Sequence, residues 1–124
     1  DGGVEMPGSS APHVVPVPQS DPSAVDPEEA FVACIASCHM LWFLSIAAKR
    51  GFVVDAYADD ATGTMARVAK GRLGITEVVL RPRVRFHGLA PDAATHEAMH
   101  LEAHEMCFIA NSVKSDVRVV PTLA

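Results

Sequence analysis

Positive charge is in short supply in this chain: ten Lys and Arg stand against fifteen Asp and Glu, for a formal net charge of −5. That balance argues against nucleic acid as the main partner, and no polybasic run offers itself to a membrane surface. Aromatic residues make up only 6% of the chain, so Val, Ala, Leu and Ile must build its core. Cysteine is scarce and odd in number, three in all, which excludes a complete disulfide framework within one chain. With no secretory pattern at its start, the chain is expected to keep free thiols in a reducing, cytoplasmic compartment. Missing too are the glycine-rich dinucleotide fingerprint, the Walker loop and the GxSxG nucleophile elbow. At 124 residues, a single domain with one core of ordinary size is expected.

Proline is concentrated rather than absent: six of nine fall within residues 1–27. Short apolar pieces such as His13 to Val17 can pair at a sheet edge but not in its centre. Residues 1–25 are therefore expected to form an extended, loosely ordered arm, and residues 26–120 the core. Asp26-Pro27-Glu28-Glu29 is a helix start, with a cap at Asp26, Pro27 at the first helical position and Glu29 where a capping-box acid belongs. The helix should run to Lys49-Arg50, with Gly51 just beyond its end. No Asp, Glu, Lys or Arg occurs from Ala30 to Ala48. A run of this length is also what a membrane span needs, but Cys34, Ser37, Cys38, His39 and Ser45 interrupt it. A helix apolar on all sides must be buried on all sides, and one small domain struggles to wrap it. A homodimer is therefore expected, with neither membrane nor nucleic acid as partner.

Downstream, Phe52 to Ala58 and Gly63 to Val68 read as strands flanking a polar turn at Asp59-Asp60. Ile75 to Phe86 alternates, with Val78, Leu80, Val84 and Phe86 on one side and Glu77, Arg81, Arg83 and Arg85 on the other. Pro82 within this run predicts an edge or a bulge. A second helix is predicted from Pro91 to about Ala110, and a last strand over Asp116 to Val120. The order of elements predicts an α+β domain.

Cys34 and Cys38, four apart, share one face of the first helix. Their Cβ atoms should lie roughly 5–6 Å apart, too far for a disulfide without distortion. Among Phe31, Ala33 and Ile35, Cys34 reads as a small buried hydrophobe; the polar neighbours Ser37 and His39 make Cys38 a contender for chemistry. On the second helix His96, His100, His104, Cys107 and Asn111 fall in one sector of about 80°. Such a stripe can face a cleft, a subunit boundary or solvent. With Cys38 and His39, the set His100, His104 and Cys107 could also supply a tetrahedral zinc site, although no compact zinc motif is matched.

Two segments together resemble the OsmC/Ohr family of thiol peroxidases. The first runs from Pro27-Glu28-Glu29-Ala30-Phe31 through Ala36-Ser37-Cys38, similar to that family's Pro-Glu start of a long central helix with the reactive cysteine eleven residues after the proline. The second, Ala103-His104-Glu105-Met106-Cys107 followed by Asn111, resembles the family's Ala-His-x-x-Cys signature. His39 to Leu44 looks closer to the OsmC-like branch than to Ohr proper. The resemblance implies an OsmC-like α+β fold, with a long central helix packed against a curved antiparallel sheet in an intertwined homodimer, this chain lacking the first strand. It also implies thiol-dependent reduction of organic hydroperoxides or hydrogen peroxide in oxidative-stress defence, with Cys38 attacking and Cys107 resolving. Glu28 matches the carboxylate that orients an arginine beside the reactive thiol, and His39 and His104 are the expected substrate-binding residues. The scheme uses an external dithiol reductant and no resident cofactor or metal. The chain departs from the pattern in having no arginine before Arg50 and in placing Phe108 where proline commonly follows the second cysteine. Stabilising the thiolate then falls to His39, to His104, to an arginine of the Arg81–Arg85 strand or to a residue ahead of Asp1. A divergent OsmC-fold binding or stress protein with little turnover, or a metal-binding protein using the His/Cys stripe, are the alternatives.

Overall fold

The first helix, α1 (Pro27–Lys49), begins where its capping signals place it in this computed structural model, which describes residues 2–124. Asp26 Oδ1 accepts from the Glu29 N–H at 2.8 Å, and Glu29 Oε2 accepts from the Asp26 N–H at 3.2 Å. Two of the otherwise unpaired amides of the first turn are thereby satisfied. The helix ends at Arg50; Gly51 takes a positive φ of 80°, and the Phe52 N–H turns back to the Ala47 carbonyl at 2.9 Å. Only glycine adopts that backbone without strain, so the stop is written locally.

Six strands follow: β1 (Val53–Asp59), β2 (Thr62–Ala69), β3 (Arg72–Leu80), β4 (Pro82–His87), then β5 (Asp116–Val119) and β6 (Thr122–Leu123) after the second helix. They form two three-stranded sheets, β1-β4-β6 and β2-β3-β5. The alternating run Ile75 to Phe86, predicted as one strand, is divided at Arg81 between the two sheets. Pro82, which has no N–H, opens β4 opposite Asp59, and the Arg81 N–H donates to Asp59 Oδ1 at 2.6 Å. Asp59-Asp60 is not a hairpin turn: β1 and β2 pair with β4 and β3 respectively, not with each other. The hairpin that does form joins β2 to β3 through Gly71, at φ 70°. The β1-to-β2, β3-to-β4 and β5-to-β6 passages all cross between sheets. The whole is α+β, with antiparallel pairs and a parallel third strand in each sheet.

The N-terminal residues differ from the extended arm that the prolines suggest. They form successive turns closed by a bridge between Gly8 and Val25, with Ala11 and Ser20 buried.

Helix α1 spans both sheets. Its first half puts Ile35 against Val78 and Leu80, with Phe31 and Val32 alongside. Its second half packs Phe43, Ile46 and Ala47 against Val84 and against Met99 and Ala103 of α2 (Ala93–Met106). Each such large side chain taken out of water contributes on the order of 1.5–3 kcal/mol. Ala33, Cys34, Ser37, Leu41, Ser45 and Ala48 are left exposed within one chain. Cys34 therefore does not occupy the buried site expected for it. By length and composition α1 could cross a membrane, and only 28% of its most apolar window is buried.

Helix α2 starts at an Asp92 cap, whose Oδ1 accepts from the Thr95 N–H at 2.7 Å. It stops at Met106, shorter than predicted: Cys107 already leaves the helix at φ −68°, ψ 107°, and Ala110–Ser112 form a separate 3₁₀ turn.

Candidate functional site

Where α1 meets the C-terminal end of α2, the fold brings Cys38 and Cys107 together. Cys107 is fully buried, and the half-buried Cys38 side chain lies against its thiol. The Ala110 N–H donates to Cys107 Sγ at 3.4 Å, a contact possible only because the helix has ended and the chain curls back over the sulfur. Burial pushes the Cys107 thiol upward; the Ala110 amide opposes this, and the adjoining Cys38 adds to the rise.

The polar stripe of α2 faces inward. His39 of α1 and His100 of α2 share a hydrogen bond, Nε2 to Nδ1 at 3.0 Å, and His100 Nε2 meets His96 Nε2 at 3.3 Å. The His39 and His100 rings are 5° from parallel with centroids 5.3 Å apart, so they meet edge to edge along the hydrogen bond. Phe43 lies over His100 at 4.1 Å between centroids, and Phe86 closes on His96 edge-on. All three imidazoles are buried, and burial holds them below the usual histidine range. His39 falls to about 4, with nearby His104 adding to the effect, and His100 falls to about 3, with His39 and His96 adding. At neutral pH they are uncharged. His39, one of the expected substrate-binding residues, points to His100 and presents no cation to Cys38. His104, the other, is half-buried, and its Nδ1 has no partner.

This chain uses both nitrogens of His100 in opposite directions, so the lone pairs do not converge on a point. Among the described residues no group of three or more His, Cys, Asp or Glu side chains is arranged to hold a metal ion.

Glu28 is not brought to Cys38 within one chain. Ten residues separate them along α1, roughly 15 Å of rise. Glu28 instead lines a groove of about 880 Å³ with Val32, Ser37, Met40, Tyr57 and Asp59. The Tyr57 hydroxyl and Asp59 Oδ2 are buried there without partners, and burial raises both groups. Neither residue carries a sequence signal that would have singled it out. The arginines of the β3–β4 bend are directed elsewhere: Arg81 donates to the Asp60 carbonyl and to Thr62 Oγ1, and Arg83 pairs with the Asp60 carboxylate.

The family model described as OsmC-like protein matches residues 20–121. An OsmC-like protein of unknown function from Vibrio cholerae is 52% identical over 98% of this chain and 80% of its own, with a TM-score of 0.94. An organic hydroperoxide resistance protein from Elizabethkingia anophelis shares the fold at 16% identity, covering 99% of this chain and 82% of its own, with a TM-score of 0.74. The organic hydroperoxide resistance protein OhrB of Bacillus subtilis does so at 19%, covering 82% and 72%, with a TM-score of 0.64. No curated protein matches.

Proposed function

This chain belongs to the OsmC-like family, and on that premise we propose that it is a thiol-dependent peroxidase reducing organic hydroperoxides or hydrogen peroxide in a reducing, cytoplasmic setting. The observation that carries the reading is the meeting of Cys38 and Cys107 across the α1–α2 junction. The Cys38 thiolate attacks one peroxide oxygen. The O–O bond breaks, Cys38 becomes a sulfenic acid, and the departing alkoxide or hydroxide takes a proton to leave as alcohol or water. Cys107 then attacks the Cys38 sulfur. An S–S bond forms, the S–OH bond breaks, and the hydroxide leaves as water with the Cys107 proton. An external dithiol supplies the two electrons that reopen the disulfide. Burial supports this division: Cys107 is inaccessible and its raised thiol keeps its proton, whereas Cys38 is reachable.

A second copy of the chain completes the site in this proposal. The exposed, charge-free face of α1 from Ala33 to Ala48 needs a cover. Ala33 lies midway between Glu28 and Cys38. Two α1 helices crossing antiparallel there would bring each Glu28 toward the other chain's Cys38. Sedimentation at micromolar concentration should then show a dimer; a stable monomer with native helix content would refute it.

The chemical test is one equivalent of an organic hydroperoxide followed by mass spectrometry, with a Cys38–Cys107 disulfide expected. Cys38→Ser should abolish rapid reduction, and Cys107→Ser should leave a sulfenic acid on Cys38 open to a dimedone-type probe. Labelling of Cys107 instead would reverse the roles. Two variants indistinguishable from wild type would sink the peroxidase reading. A fold-sharing binding or stress protein with little turnover is the second reading, favoured by the engagement of Arg81 and Arg83 with the Asp60–Thr62 segment instead of the thiols.

A further inference from the structure

The segment after α2 is tightly knotted. The Asn111 N–H donates to the Cys107 carbonyl at 3.0 Å, and the Ser112 N–H to the Ile109 carbonyl at 3.0 Å. Asn111 Nδ2 reaches back to the Glu105 carbonyl at 2.9 Å, and Ser112 Oγ donates to the Phe108 carbonyl at 2.7 Å. With the Ala110 amide on Cys107 Sγ, the turn holds its own shape around the sulfur. It also pushes Phe108 outward, 66% exposed, so that one edge of the ring meets Trp42 of α1. The two centroids are 5.4 Å apart and the planes stand at 77°, the edge-to-face arrangement that aromatic quadrupoles favour. Trp42 lies one helical turn beyond Cys38 on the same side of α1. The turn is therefore tied to α1 at two neighbouring points, Cys107 on Cys38 and Phe108 on Trp42.

A ring this exposed adds little to the core. What it does add is an orientation: it fixes the turn, and with it Cys107, relative to the helix that carries Cys38. Resting on the reading of Cys38 and Cys107 as a redox pair, we infer that Trp42 and Phe108 are positioning residues, whose edge-to-face contact holds Cys107 in bonding register with Cys38. Closure competes with a second oxidation. A Cys38 sulfenic acid is either captured by Cys107, releasing water, or attacks another hydroperoxide. In the second case its sulfur gains an oxygen to become a sulfinic acid and the hydroperoxide leaves as alcohol. The aromatic contact favours the first outcome and so protects Cys38 from irreversible over-oxidation.

Glutathione redox buffers test this without relying on peroxide, because they report the effective concentration of Cys107 at Cys38. Phe108→Ala and Trp42→Leu should each lower that quantity severalfold, up to about tenfold from the strength of such a contact. The double variant should be no worse than the poorer single one, since both remove the same contact. Phe108→Tyr should restore the wild-type value; the unfolding midpoint should stay near wild type in Phe108→Ala and fall in Trp42→Leu, because Trp42 also packs against the core around Phe43. Under peroxide, Phe108→Ala should form sulfenic acid at the wild-type rate but over-oxidise at correspondingly lower peroxide. Wild-type effective concentrations in both single variants, or losses that add in full in the double variant, would overturn the inference. If the redox-buffer results hold while peroxide leaves Cys38 untouched in wild type, the positioning stands and the peroxidase reading fails.

Discussion

Acid should weaken this protein well above the pH at which carboxylates normally titrate, and the cause is the buried imidazole chain. His39 and His100 are neutral in the folded state, held near 4 and 3 by burial, whereas an unfolded histidine takes up its proton near 6.5. The unfolded chain is protonated first, so the stabilisation is complete above about pH 6.5 and declines as pH falls toward the folded values. Between pH 7 and 5 both folded rings stay neutral, and the loss depends only on proton uptake by the unfolded chain. That amounts to about 2 kcal/mol for each histidine, hence about 4 kcal/mol for the pair. His96, lowered by burial, adds in the same direction. Asp59, whose carboxyl is raised by burial, works the other way. The groups facing the chain from α1 and β4, Phe43 and Phe86, are uncharged, and His104 faces His39. A loss of this size is a large fraction of the 5–15 kcal/mol typical of a domain. Urea unfolding at pH 7, 6 and 5, followed by Trp42 fluorescence at one fixed protein concentration, measures it. A His39→Gln/His100→Gln double variant keeps neutral hydrogen-bonding groups in the core and should lose most of the pH dependence. Equal wild-type stability at pH 7 and 5, or an undiminished slope in the double variant, would refute the reasoning.

Gly63 of β2 faces α1 so closely that an added Cβ would lie 2.7 Å from Val32 Cγ2. Gly63→Ala should therefore cost about 1–3 kcal/mol in urea unfolding, and Val32→Ala in the same chain should recover part of it. Cys34, exposed on α1, should tolerate Cys34→Ser with peroxide consumption intact; abolished activity in a folded variant would move the chemistry from Cys38 to Cys34.

The candidate site was partly legible in the sequence. The eleven-residue spacing from Pro27 to Cys38 and the Ala103-to-Cys107 segment marked the two thiols that the fold brings together. The periodicity of His96, His100, His104 and Cys107 showed that they share one side of α2, but three destinations were open to that stripe. Packing against α1 and Phe43 chose the core for His96 and His100. The contacts of Trp42 with Phe108 and the place of Tyr57 and Asp59 in the groove have no sequence signature, because they come from neighbours far away along the chain.

What the sequence determined by itself is whatever contiguous residues can enforce. The capping box of Asp26 and Glu29 starts α1, Gly51 stops it, and the Asp92 cap starts α2. These depend on backbone groups within a few residues, so no distant partner is needed to decide them. Strand pairing is different. Alternation identified Ile75 to Phe86 as extended, yet a period of two says nothing about which strand lies alongside. Only the assembled structure sends β3 and β4 into separate sheets at Pro82 and seats β1 against β4 instead of β2. The exposed face of α1 and the inward turn of the histidines were settled at the same level, because burial is a property of what packs against a residue and not of the residue alone.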